Sequence, residues 1–122
     1  MKRLTKAEEQ IIQILWRLKK ASTKEVLEEL PGPKPAITTV STIIRILESK
    51  GFVAHETKGR GYIYYPLIKK EDYAKQSLKS VVADYFDGSF KNLLSFFVKD
   101  GDMDLKELEE VLNEINDKNQ KK

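Results

Sequence analysis

Residues 38–67, TTVSTIIRILESKGFVAHETKGRGYIYYPL, decide the fold. In their first part Val40, Ile43, Ile44 and Leu47 recur at i, i+3, i+4 and i+7, the spacing of one buried helix face. At about 100° per residue, Thr38, Ser41, Thr42, Arg45 and Ser49 fall on the opposite side, which is short, polar and nearly free of acid. Gly51 can turn left-handed past the helix end. Two runs rich in β-branched and aromatic residues follow, Phe52 to Thr57 and Tyr62 to Leu67. Lys58-Gly59-Arg60-Gly61 lies between them, and its two glycines permit positive φ in a tight, cationic hairpin turn. Pro66 is tolerated there because it sits near the strand end.

Upstream, two more helices are legible. Thr5 caps the first and Glu8 completes a capping box, after which Ile11, Ile12, Leu15, Trp16 and Leu18 form an apolar stripe. Ser22 and Glu25 repeat the device for the second, with Val26, Leu27 and Leu30 facing inward and Pro31-Gly32-Pro33 as the stop. Three helices followed by a hairpin is the plan of a winged helix-turn-helix, in which the third helix enters the DNA major groove and the hairpin touches the backbone or the minor groove. The hydroxyls of Thr38, Thr39, Ser41 and Thr42 suit phosphate and base-edge hydrogen bonds, and Arg45 suits guanine or a phosphate. Lys58 and Arg60 suit flanking phosphates.

Charge divides along the chain. Residues 1–70 hold 14 basic and 7 acidic side chains, a surplus of seven positive charges. Residues 71–122 hold 8 basic and 12 acidic, a surplus of four negative charges. Uneven surface charge alone would give the same split, but a basic half with a cationic wing fits a polyanion partner. The alternative is a winged helix that binds protein rather than DNA, and its third helix would expose apolar or acidic residues instead.

Beyond residue 70 the pattern is purely helical. Ala74, Leu78, Val81, Val82, Tyr85 and Phe86 form one stripe, closed by Asp87-Gly88. Ser89 caps a fifth helix with Phe90, Leu93, Leu94, Phe96 and Phe97, and Gly101 lies past its end. Asp104 and Glu107 offer a capping box before Leu105, Leu108, Val111, Leu112 and Ile115, and the polar tail from Asp117 to Lys122 is expected to fray. About 50 residues cannot bury stripes this apolar by themselves. A second copy would bury them, with Leu78, Val82, Phe86, Phe97, Leu108 and Leu112 at a dimer interface and two reading heads facing a palindromic site. Folding back onto the chain's own first half would bury them too. The expected architecture is therefore mostly α with a small β-hairpin: a winged-helix DNA-binding domain over 1–70 and a helical dimerisation region over 71–122.

Other chemistry finds little support. With no cysteine, disulfides and zinc–thiolate sites are excluded. The single histidine, His55, falls in a wing strand with no obvious partner and reads as a structural or surface residue. No phosphate loop, Ser-His-Asp order or metal-ligand cluster occurs, so no enzyme, cofactor or metal is expected. MKRLTKAEEQ has no apolar run of a signal peptide and no stretch reaches membrane-span length, which points to a cytoplasmic protein without membrane insertion.

LTKAEEQIIQILWRL at 4–18, TTVSTIIRILESKGFV at 38–53 and GRGYIYYPL at 59–67 resemble the penicillinase-repressor family, with its BlaI, MecI and CopY types. The resemblance runs over almost the whole chain, including the helical second half. It implies a homodimeric repressor on an inverted-repeat operator in double-stranded DNA. In the β-lactam branch it also implies a membrane sensor-linked protease that triggers cleavage in the fifth helix. The family's scissile Asn-Phe aligns with Phe96-Phe97, where the second residue matches and the asparagine does not. The copper branch uses C-terminal cysteines, which this sequence lacks.

Overall fold

The hydroxyl caps foreseen at helix starts are formed, and they set where the chain turns. The computed structural model describes residues 3–120, and side chains as far as residue 115. Helix α1 spans Lys6–Leu18, with Thr5 accepting from the Glu8 amide at 3.2 Å and Glu8 accepting from the Thr5 amide at 2.8 Å. Helix α2 spans Thr23–Glu29 under the equivalent Ser22–Glu25 box. Each such cap contributes about 1 kcal/mol. After Pro31-Gly32-Pro33, Lys34 folds back, and its ammonium donates to the carbonyls of Leu27, Glu28 and Leu30 at 3.1, 2.6 and 3.0 Å. A cation on the exposed end carbonyls of α2 satisfies acceptors that no proline can reach.

Helix α3 spans Ile37–Ser49 and buries Val40, Ile44 and Leu47. These meet Ile11, Ile12, Leu15 and Val26 in one core that also takes in Phe52, Val53 and Tyr64. Each fully buried aliphatic side chain in it contributes about 1.5–3 kcal/mol.

The hairpin is tighter than the sequence suggests. Strands β1 (Val53–Lys58) and β2 (Gly61–Pro66) are antiparallel, with Val53 opposite Pro66, His55 opposite Tyr64 and Lys58 opposite Gly61. The four-residue turn therefore shrinks to Gly59-Arg60. Only Gly59 takes positive φ, at 62°, while Gly61 belongs to the ladder. Positive φ at the first position alone is the pattern of a type II′ turn, whose twist matches that of the strands. A third, one-residue strand goes unseen in the sequence. Ala21 bridges Tyr64, with N–H···O=C bonds of 3.0 and 2.8 Å in the two directions, and so ties the α1–α2 junction to the wing.

The chain divides into two compact units, Met1–Ser77 and Leu78–Lys122, and the division falls inside α4 (Lys70–Tyr85). In the first unit, the Trp16 indole donates to the Ile68 carbonyl at 2.8 Å. Tyr73 of α4 packs edge-on to Phe52 and tilted against Trp16, and its hydroxyl donates to Glu9 at 3.0 Å.

In the second unit, α4 ends at Tyr85, and Asp87 and Gly88 both take positive φ. Helix α5 (Phe90–Lys99) starts at the Ser89 cap, and α6 (Leu105–Gln120) starts where the Asp104 carboxylate accepts from the Lys106 amide. Phe86 and Phe97 each meet Phe96 edge-on at 5.6 and 5.8 Å. Helix α6 runs past Asp117 and ends at Gln120. Lys121 and Lys122 lie outside the described residues.

Candidate nucleic-acid interface

Four carboxylates of the first unit have partners within the fold. Glu8 is buried, and its two oxygens take the Lys50 ammonium at 2.7 and 3.0 Å while one of them also serves the Thr5 amide. Burial pushes the Glu8 carboxyl up, but the hydrogen bonds from Lys50 and Thr5, with the Lys50 charge, outweigh it and leave the group below its usual value. Lys50 is the residue that closes α3. One ion pair therefore anchors the C-terminal end of α3 to the N-terminal turn of α1. Glu48 pairs with His55 of β1, whose ring lies 4.4 Å from that of Tyr62 and 5.7 Å from that of Tyr64. His55 thus has the partner that its sequence context did not reveal, and the pair links α3 to the wing. Lys20 holds Glu56 at 3.0 Å and Arg17 holds Glu29 at 3.4 Å.

What remains exposed on α3 is one guanidinium, a set of hydroxyls and two aliphatics, Ile37 and Ile46. Thr38, Thr39, Thr42 and Arg45 are exposed and Ser41 is half-buried. Arg45, Lys58 and Arg60 are all exposed and stand outside every salt bridge among the described residues. The Lys58 charge helps hold down Glu25, which is lowered chiefly by its backbone bond to Ser22. Helix α3 starts without a side-chain cap, at Ala36, unlike α1, α2 and α5, and unlike α1 and α2 it has no acid in its first turn. Its dipole is therefore not offset by a side chain of its own.

The hydroxyls are not equivalent. Thr42 Oγ1 donates to the Thr38 carbonyl at 2.9 Å, and Ser49 Oγ donates to that of Ile46 at 2.8 Å. A hydroxyl whose proton is committed to the backbone can only accept, which suits a base amino group and not a phosphate. Thr38, Thr39 and Ser41 keep both capacities.

In the second unit, Leu78, Phe97 and Leu112 are 44, 38 and 51% exposed, Phe86 and Leu108 are half-buried, and Val82 is already buried within its own chain. Phe96 is 49% exposed. Among the described residues no three His, Cys, Asp or Glu side chains cluster as metal ligands, and no helix is long and apolar enough to cross a membrane.

Comparison with known proteins gives this arrangement a context. The penicillinase repressor family matches residues 4–117. The chain belongs to the penicillinase-repressor family. It is 29% identical to the methicillin resistance regulatory protein MecI of Staphylococcus aureus, over 94% of either chain. It is 26% identical to the penicillinase repressor of Bacillus licheniformis, over 98% of this chain and 94% of that one. Among solved structures, the DNA binding domain of the repressor BlaI superposes with a TM-score of 0.51 at 30% identity, covering 60% of this chain and 94% of the neighbour. As a penicillinase-repressor family member with the fold of that domain, the chain is a DNA-binding transcriptional repressor with a winged helix.

Proposed function

We propose that this repressor binds a palindromic operator as a homodimer, with α3 of each copy in the major groove and each wing on the flanking backbone. In this reading Thr38, Thr39, Ser41, Thr42 and Arg45 face bases and nearby phosphates, and Lys58 and Arg60 face phosphates. The observation that carries it is the exposed surface of α3, which presents Thr38, Thr39, Thr42 and an Arg45 outside every salt bridge among the described residues, while Glu48, the helix's one acid, is paired with His55. Residues 1–70 serve as the DNA-binding part and 71–122 as the dimerisation part. Leu78, Phe97 and Leu112 present the apolar surface that a second copy covers, with Val82, Phe86 and Leu108 supporting it from beneath. The protein works in the cytoplasm and catalyses no reaction.

Relief of repression acts, in the same reading, through the second unit. A membrane sensor-linked protease that cut Phe96–Phe97 would sever α5 and split the shared interface. That bond lies inside a helix whose Phe96 and Phe97 carbonyls accept from the Asp100 and Asp102 amides at 3.1 Å. Cleavage therefore requires local opening first.

The test is fluorescence anisotropy with a duplex from the region upstream of the protein's own gene, against a scrambled duplex, at several salt concentrations. Binding should prefer the upstream duplex and weaken steeply with salt, because each neutralised phosphate releases a counterion. Equal, salt-insensitive binding to both duplexes would refute the reading.

A further inference from the structure

The apolar stripe of α3 overshoots the core by one turn. Ile37, Val40, Ile44 and Leu47 lie at i, i+3, i+7 and i+10, the spacing of a single face. Val40, Ile44 and Leu47 are fully buried, yet Ile37 is 47% exposed. It is the first residue of the helix, where the packing partners from α1 and α2 run out. Lone exposed aliphatics are common and mean little by themselves. The position of this one distinguishes it. Ile37, Ser41 and Arg45 follow one another at i, i+4 and i+8, within an arc of about 80°. Thr38 lies next to that arc. Ile37 therefore stands in line with the polar residues assigned to the groove, at the helix end whose residues reach base edges in this class of fold.

A single aliphatic group among hydroxyls and a guanidinium has one apolar counterpart on the major-groove floor, the C5-methyl of thymine. We infer that Ile37 is a specificity-determining residue that packs against a thymine methyl in each operator half-site. The inference rests on the DNA-binding reading above and adds a hydrophobic contact to an otherwise polar set. Ile46, the other exposed aliphatic of α3 at 40%, lies nine residues on, about 13 Å along the axis. It serves as the control.

The full-length protein is titrated by anisotropy against its operator and against duplexes in which each symmetric pair of thymines is replaced by deoxyuridine, which removes only the methyl. One pair should weaken wild-type binding by about fourfold per half-site, the effect of withdrawing one buried methyl. Ile37→Ala should bind that duplex and the parent equally, Ile37→Val should keep most of the penalty, and Ile46→Ala should keep all of it. If no deoxyuridine duplex weakens wild-type binding, or if the penalty persists in Ile37→Ala, the assignment is wrong while operator recognition stands. If wild type fails to prefer its operator over scrambled DNA, the underlying reading falls and this inference with it.

Discussion

In the first unit Ile12, Leu15, Val26, Val40, Ile44 and Leu47 are withdrawn completely from water, while in the second Val82 and Leu93 are the buried aliphatics among the described residues. Tyr85, Leu105, Val111 and Leu112 of the second unit are each half-exposed or more, and Ile115 is 49% exposed. Both halves of the chain carry apolar stripes at helical spacing. They differ in what stands opposite. In the first unit three helices and a hairpin enclose a common centre, so each stripe finds a partner within the chain over most of its length, with Ile37 at the start of α3 left out. In the second, the end of α4 with α5 and α6 fully buries only Val82 and Leu93 among the described residues, and Leu105, Val111, Leu112 and Ile115 stay open. The first unit closes its own core and the second leaves apolar surface open, which is what supports the proposal that the one recognises DNA and the other self-associates.

Removing the second unit tests that contrast hardest. A chain ending at Ser77 should be a folded monomer by sedimentation and should bind the operator 10²–10⁴-fold more weakly, because two heads no longer share one effective concentration. Undiminished affinity would show that the second unit contributes nothing to recognition. A point change should reproduce part of the effect. Leu112→Asp should weaken the dimer by about 3 kcal/mol, since a carboxylate would be buried without a partner. Leu67, 58% exposed in the first unit, provides the comparison, and Leu67→Asp should leave the dimer constant unchanged. If both substitutions act alike, the apolar surface of the second unit is not special.

Within the first unit the Glu8–Lys50 pair should matter more to folding than to binding. Glu8→Gln should cost about 2–3 kcal/mol at neutral pH, somewhat below the full cost of breaking a buried pair because Lys50 keeps 22% side-chain exposure. The sign with pH follows from the depressed carboxyl. Its stabilisation is fully present above the usual value of 4.5 and is lost as pH falls through the lower folded value. Thermal melts across that range should show wild type losing stability and Glu8→Gln remaining flatter. Matching acid limbs would mean that the pair is idle. The smallest effects belong to the DNA contacts taken singly. Arg45→Ala should cost about 1–3 kcal/mol on the operator if it reads a base. Lys58→Ala or Arg60→Ala should cost less, equally on all sequences, and should lower the salt slope by about one. Equal behaviour of Arg45→Ala and wild type across salt would remove Arg45 from the interface.

The features legible in the sequence are those whose cause is local. Thr5–Glu8, Ser22–Glu25 and Ser89 announce helix starts because a cap joins residues two or three apart, and the wing announces itself because alternation and glycine sit side by side. The sequence suggests a four-residue turn because both glycines permit positive φ, whereas the Lys58–Gly61 pairing that shortens it depends on strand register. The Ala21 bridge is one residue long and carries no pattern. The Glu8–Lys50 pair joins residues 42 apart, so nothing near either one signals it. At the candidate interface, the exposed residues of α3 were readable from the helical period. The Thr42 hydroxyl turned back onto the Thr38 carbonyl was not, because that choice is made by rotamer. Nor was the exposure of Ile37, since its spacing places it with the core and only the absence of a neighbour leaves it out.

Glu8 constrains which substitutions this protein can accumulate. An ordinary surface ion pair can be inverted, acid for base, with little consequence. Here the acid also accepts the Thr5 amide at 2.8 Å, and a lysine at position 8 has no lone pair to offer. Exchanging the partners, Glu8→Lys with Lys50→Glu, would restore opposite charges and still leave the start of α1 uncapped on that side. Position 8 can therefore drift only among acceptors, whereas position 50 is free to become any cation long enough to reach it. Two residues bound to each other are thus unequally free to change.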